Sequence, residues 1–181
     1  QLLLKSSLYF EKNTIASDIE LRFVHEFDKF YGVGNNTPDL GNESFFIDNF
    51  GGKLNFQMPP TIFIATRTGL VFEYRDFTIV DKKDNPYLNS DISFPGKEGG
   101  PVSGLGMVWV WDNRDNVFFP NKGGYTNAEM IIYSKDIGSD YTFTTYEVDT
   151  RRFWAFSPDH VFAVQGYFMY AWGEVPFYKA P

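Results

Sequence analysis

The chain has 181 residues, no cysteine and a formal net charge of −7. These values exclude disulfides and thiolate metal sites. They also argue against nucleic acid as a partner, because phosphate binding wants a basic face. No run of ~18 apolar residues is present, so no membrane-spanning helix is expected. Aromatic content is the outlying value: 19%, with 20 Phe, 11 Tyr and 4 Trp. A soluble core of this size could not easily bury so many large rings, so many are expected to face something apolar outside the chain.

In chain order the recurring pattern is apolar–polar alternation, and no segment longer than about ten residues keeps a helical period. Leu2–Glu11 is a short strand candidate. Its surroundings, Gln1–Asn13, lack the basic start and small-residue cleavage site of a signal peptide. Glu20–Tyr31 sets Leu21, Phe23, His25 and Phe27 against Arg22, Val24, Glu26 and Asp28. Ser44–Phe56 is a third candidate, with a bulge or bend expected at Gly51-Gly52. Thr61–Phe77 alternates most clearly, with Ile62, Ile64, Leu70, Phe72 and Tyr74 on one face and Arg67, Glu73 and Arg75 on the other. Val102–Asp112, Tyr125–Ser134, Tyr141–Trp154 and His160–Gly173 complete the set. In the last, Phe162, Val164, Phe168, Tyr170 and Trp172 oppose Ala163, Gln165, Tyr167 and Met169.

The pattern thus predicts about eight strands, several longer than the ~5–6 residues usual in soluble sheets. A tilted strand crossing a bilayer needs ~9–11 residues, which the charge-free Val161–Gly173 meets. Charges inside strands gather on one face, as do Glu147, Asp149 and Arg151, which spares a lipid-facing surface the ~2–4 kcal/mol cost of a mid-bilayer Lys or Arg. Connections alternate too. Met58–Pro60 and Ser157–Asp159 are short; Gly32–Glu43 and Val80–Pro101 are long, although Lys135–Asp140 is short on the long side. Two architectures fit: a membrane barrel with lipid outside, or a soluble barrel with an apolar interior. Strand length and aromatic excess favour the first.

Between the fifth and sixth strands, the polar turn Asp112–Asn116 leads into Phe118-Phe119-Pro120, and Asn121–Gly124 reverses the chain. From here the sequence resembles the bacterial surface antigen family, the barrel domain of BamA- and TamA-type outer-membrane proteins. Ser103-Gly104-Leu105-Gly106, then Trp111–Tyr125 (WDNRDNVFFPNKGGY), resemble that family's central strand, its turn and the following strand. Gly138–Tyr141 and Glu147–Phe153 resemble its next hairpin. Tyr170–Gly173 and Val175–Tyr178 resemble the entry to its long sixth extracellular loop, and Phe30–Thr37 resembles another strand end. The likeness extends over the chain and is strongest from Val102 to Pro181. Family members carry amino-terminal periplasmic repeats, an Arg-Gly-Phe/Tyr motif in the sixth loop and a terminal aromatic residue. None of these is seen here, the sequence stopping at Lys179-Ala180-Pro181. The expectation is an all-β, antiparallel transmembrane barrel domain over residues 1–181, an internal part of a barrel of about sixteen strands; a complete eight-stranded barrel is the alternative.

Candidate chemical sites have structural explanations. His25, between Phe23 and Phe27, reads as a packed or strand-end histidine rather than an acid–base group. His160, after Ser157-Pro158-Asp159, reads as a turn residue. Two histidines without cysteine make a transition-metal site improbable. Glu147 and Asp149 could serve as paired carboxylates in hydrolysis, but with Arg151 they read better as a charged ladder inside the barrel. Asp112-x-Arg114-Asp115 lacks the glycine and closing glutamate of a calcium loop. Gly32-x-Gly34 is followed by no helix, so it is not a dinucleotide site. Pro95–Gly100 lacks the Gly-Lys-Ser/Thr of a phosphate loop and reads as a mobile extracellular loop. No serine lies in a nucleophile-elbow motif. Aromatics near strand ends (Phe30, Tyr31, Phe118, Phe119, Trp154, Phe156, Tyr170, Trp172) read as a membrane-interface girdle in preference to a sugar platform.

We therefore expect no catalytic, cofactor-binding or metal-binding residue, no cofactor and no enzyme activity. The resemblance implies a bacterial outer-membrane location and a whole protein that assists assembly, insertion or export of outer-membrane proteins. It implies outer-membrane lipid, unfolded client proteins and accessory lipoproteins as partners. A related variant fuses the same barrel to a patatin-like lipase or a phosphatase domain. The rival readings are a secreted soluble β-barrel or sandwich that binds a carbohydrate or lipid, and a hydrolase using Glu147 and Asp149.

Overall fold

The computed structural model describes residues 1–10, 15–32, 43–59, 66–80, 88–157 and 159–181. Eight strands follow one another as neighbours in a single antiparallel sheet: β1 (Leu2–Phe10), β2 (Ile15–Phe30), β3 (Glu43–Met58), β4 (Arg67–Val80), β5 (Gly100–Asp112), β6 (Lys122–Tyr133), β7 (Phe143–Ser157) and β8 (His160–Gly173). β1 and β8 do not pair with each other, so the sheet is a half-barrel with two edges. The strands begin or end within a few residues of the expected positions. The largest difference is β2, which starts at Ile15: Ser17 and Asp18 weaken the apolar alternation there, yet both are in register with β3. Residues 61–65 of the expected fourth strand, with Ile62 and Ile64, lie outside the described residues, as does Gly34.

The sheet curves, and one ion pair shows which way. Lys53 on β3 reaches Glu129 on β6, three inter-strand steps of ~4.8 Å away. Two side chains can bridge that span only across the hollow of a curved sheet. Pleating then assigns every other residue. Glu73 and Arg75 face the hollow with Glu20, Asp149 and Arg151; Leu70, Phe72, Val164 and Phe168 face out. Those four are 54%, 44%, 47% and 56% exposed on the convex side. A soluble barrel would have turned them inward, so that reading fails. The convex wall suits lipid, which offers apolar surface without hydrogen-bonding partners.

Gly51-Gly52 makes no bulge. Phe50, Gly51 and Gly52 pair in unbroken register with Asp76, Arg75 and Tyr74. A side chain at Gly51 would run into the Tyr74 carbonyl and the Arg75 Cα, so the glycine permits close strand approach where the sheet curves. Among the described residues the one register shift lies between Ala155 and Ser157, at the β7–β8 turn. The short connection after β6 holds a 3-10 turn, Lys135–Ile137, capped by the Ser134 side chain, which the alternation did not foreshadow.

The hollow is not uniformly polar. Toward the long loops it is lined by Phe45, Phe77, Val102, Tyr133 and Phe143, all nearly inaccessible to solvent. The β4–β5 loop and the segment after β8 cover this apolar part. The charged residues occupy the hollow beside it.

Candidate functional site

The segment after β8 is the feature with most built into it. Gly173 takes a φ of 114°, and Glu174 N–H donates to the Thr142 carbonyl at 2.9 Å. The chain then leaves the wall and crosses the hollow as a strap, ending in a 3-10 turn, Phe177–Lys179. Phe177 N–H donates to the Pro95 carbonyl at 3.2 Å. Its ring meets Phe30 edge-on at 5.2 Å and Phe45 at 5.4 Å. Tyr178 stacks on Phe77 at 4.3 Å, and its hydroxyl donates to the Gly100 carbonyl at 3.2 Å. The strap therefore runs from β8 to the inner faces of β2, β3 and β4. Such edge-on and offset ring pairs add ~0.5–1.5 kcal/mol each beyond area burial.

Beyond the rings, the strap ends in a charge network. Lys179 Nζ donates to Glu73 Oε1 at 2.6 Å, and the Tyr133 hydroxyl donates to Glu73 Oε2 at 2.8 Å. Arg75 Nε lies 2.6 Å from Glu73 as an ion pair, without the alignment of a hydrogen bond. Arg75 Nη2 also donates to Glu20 at 3.1 Å, and Lys5 reaches the other Glu20 oxygen at 3.0 Å. The chain of charges Lys5–Glu20–Arg75–Glu73–Lys179 thus links β1, β2, β4 and the strap. Glu73 is 3% exposed, and a buried carboxylate persists only with opposite charge and hydrogen bonds around it. The alternation placed Glu73 and Arg75 on the charged face. Nothing in the spacing pointed to Lys179, a hundred residues away in a loop.

The other residues singled out from the sequence are not gathered at one centre. Asp149 is bound by Arg151 at 2.5 Å and Gln165 at 2.9 Å, and Glu147 stands opposite Glu129 in register; the three form a ladder along the hollow. His25 is on the convex wall, 2.5 Å from Asp48 and stacked on Phe46 at 4.9 Å. His160 opens β8 and meets the Ser157 hydroxyl at 2.8 Å. Asp112 is clasped by Arg114 through both oxygens, at 2.9 and 2.7 Å. Asp115 Oδ1 accepts from the backbone N–H groups of Asn116, Asn121 and Lys122. Those hydrogen bonds, Lys122's foremost, hold the Asp115 carboxyl below the usual range. These carboxylates face internal partners instead of a shared cation. Among the described residues no three His, Cys, Asp or Glu groups converge as a metal site would require. Pro95–Gly100 is part of the cover over the strap. Phe30 is not in the girdle: it is 3% exposed and packs inside on Phe94 and Phe177. The other seven strand-end aromatics are exposed.

A half-barrel with a greasy exterior and an occupied hollow can be compared with known proteins. The Omp85 superfamily domain matches residues 5–180. The chain belongs to the Omp85 superfamily. Among solved structures, this Omp85 chain is similar to BamA from Haemophilus ducreyi lacking POTRA domains 1–3. The identity is 16% and the TM-score 0.62, over 97% of this chain and 34% of that one. At that identity the likeness establishes the fold, and the chain spans about a third of the BamA chain's length. No curated protein matches the chain. The Omp85 match and the barrel likeness make this an outer-membrane β-barrel wall, located in the bacterial outer membrane.

Proposed function

We propose that residues 1–181 form one side of a barrel of about sixteen strands, in a protein that assists assembly, insertion or export of other outer-membrane proteins. The observation that carries this reading is the strap. A porin leaves its lumen open to water, whereas here Phe177 and Lys179 fill the hollow toward the long loops. The surface left to work with is the wall itself, where a client strand can meet strand edges and lipid. In this reading the partners are outer-membrane lipid, unfolded clients and accessory lipoproteins. In this reading the charged groups described in the hollow serve its structure.

The test is a folding assay in vesicles. The full-length protein is reconstituted, a urea-unfolded outer-membrane β-barrel protein is diluted in, and the folded fraction is followed by its altered gel mobility. Faster folding than in empty vesicles is expected. Equal rates in the two preparations would refute the reading.

A further inference from the structure

At its short-turn rim the convex wall carries two cations that the apolar rule does not explain. Arg152 on β7 and Lys122 on β6 both point outward at the short-turn rim, and both are exposed. Neither has a carboxylate within ion-pair distance among the described residues. An outward Arg costs ~2–4 kcal/mol at mid-bilayer and ~0–1 kcal/mol near an interface. Lys122 opens β6 and Arg152 lies level with Gly124, two residues further along it, which places both near the headgroups.

The local structure positions Arg152 closely. It pairs in register with Gly124, and a Cβ at Gly124 would meet its Cδ at 2.6 Å. Arg152 therefore lies across β6 where β6 has no side chain. Its guanidinium rests over the Trp111 ring of β5, 4.5 Å from the centroid. Lys122 pairs in register with Trp154, which stacks on Phe162 at 5.8 Å. The result is one guanidinium set on an aromatic ring, with a second cation two residues along β6 opposite Trp154, both exposed on the convex side. Beside them the β5–β6 turn presents Phe118 and Phe119, 84% and 81% exposed. The turn is held by Asn116 Oδ1, which accepts from both of their backbone N–H groups at 2.8 and 3.0 Å. The nearby carboxylates do not neutralise the cations, since Asp112 is bound by Arg114 and Asp115 by backbone N–H groups.

We propose that Arg152, over the Trp111 ring, and Lys122, opposite Trp154, bind the phosphate headgroup of an anionic phospholipid at the short-turn rim of the wall. The site rests on the membrane-wall reading but not on client insertion. Arg supplies a planar fork for phosphate oxygens, Lys a second charge, and the rings a surface for the upper acyl chain. Phe118 and Phe119 enter the same leaflet and fix the depth of this rim, as interfacial aromatics do.

The full-length protein in neutral detergent is offered phosphatidylglycerol or phosphatidylcholine, and retained lipid is counted by native mass spectrometry. Preferential retention of phosphatidylglycerol is expected. Arg152→Gln and Lys122→Gln should each lower it about fivefold, the effect of one interfacial cation, with phosphatidylcholine unchanged. Arg152→Lys should keep part of the preference, because the charge remains and the fork is lost. Equal phosphatidylglycerol retention by the wild type and the double variant would overturn the proposal. So would displacement of the lipid by inorganic phosphate at the same concentration, which would mark a free-anion site. A measurement on the wild type alone guards against variants that do not fold: phosphatidylglycerol brominated near its headgroup should quench tryptophan emission more than the phosphatidylcholine equivalent. Equal quenching overturns the site. Lipid retention requires no client, so failure here and failure of the folding assay are separate results.

Discussion

Glu73→Gln and Lys179→Met should not be equivalent, although they remove the two ends of one ion pair. After Glu73→Gln, the Lys179 ammonium and the Arg75 guanidinium remain close together with 16% and 11% side-chain exposure. Removing one partner of a buried pair costs ~3–5 kcal/mol, mostly the penalty of the stranded charge. After Lys179→Met, the carboxylate keeps the Tyr133 hydroxyl at 2.8 Å and Arg75 at 2.6 Å. Only one charged hydrogen bond is lost, ~1.5–3 kcal/mol. Glu73→Gln should therefore be the more damaging change, by ~2 kcal/mol on these ranges. The double variant should be less damaged than Glu73→Gln alone, because Lys179 no longer needs a counter-charge and Arg75 retains Glu20; such non-additivity is expected between contacting residues. Urea unfolding of the reconstituted protein, followed by tryptophan emission, measures all three. The reasoning is refuted if Lys179→Met costs as much as Glu73→Gln, or if the two effects simply add.

Three further outcomes follow from the wall and its turns. Phe72→Arg, on the convex side near the middle of β4, should cost ~2–4 kcal/mol in vesicles, the price of a lipid-facing mid-bilayer cation; a neutral result would contradict the assignment of faces. Gly51→Val should destabilise by ~1–3 kcal/mol or more through overpacking against the Tyr74 carbonyl, seen as a lower urea midpoint; an unchanged midpoint would mean the strands do not approach so closely. For the turn at Asp115, the folded carboxyl lies below the usual ~3.9. Its contribution is thus complete above that usual value and disappears as pH falls through the depressed one. The protection of the Asn121 and Lys122 amides, relative to their intrinsic exchange rates at each pH, should fall below about pH 4, and Asp115→Asn should abolish that pH dependence.

Period-two alternation made the strands and their faces legible. Leu70, Phe72, Val164 and Phe168 could be assigned outward, and Arg75 and Glu73 inward, because pleating fixes every second residue once one is fixed. Contacts between distant strands were not legible. Lys53 meets Glu129 only because the sheet curves, and curvature is a property of eight strands together. Phe30 shows the same limit. Its place at a strand end suggested the interface, but pleating turned it inward, where Phe177 arrives from the far end of the chain. Gly51-Gly52 read as a bulge or a bend, and the bulge is absent, because sequence cannot distinguish a glycine inserted into a ladder from one that admits a neighbouring backbone. Arg152 stood next to the inward Arg151 in the same strand, and only Gly124 across the ladder revealed its path to Trp111.

The strap has a mechanical consequence. It starts at the end of β8 and is fastened on the inner faces of β2, β3 and β4, so it acts as a chord drawn across an arc. A chord of fixed length sets the radius of its arc. This sector must then move as a stiff shell, and any breathing of the circumference is displaced to strands the chord does not subtend.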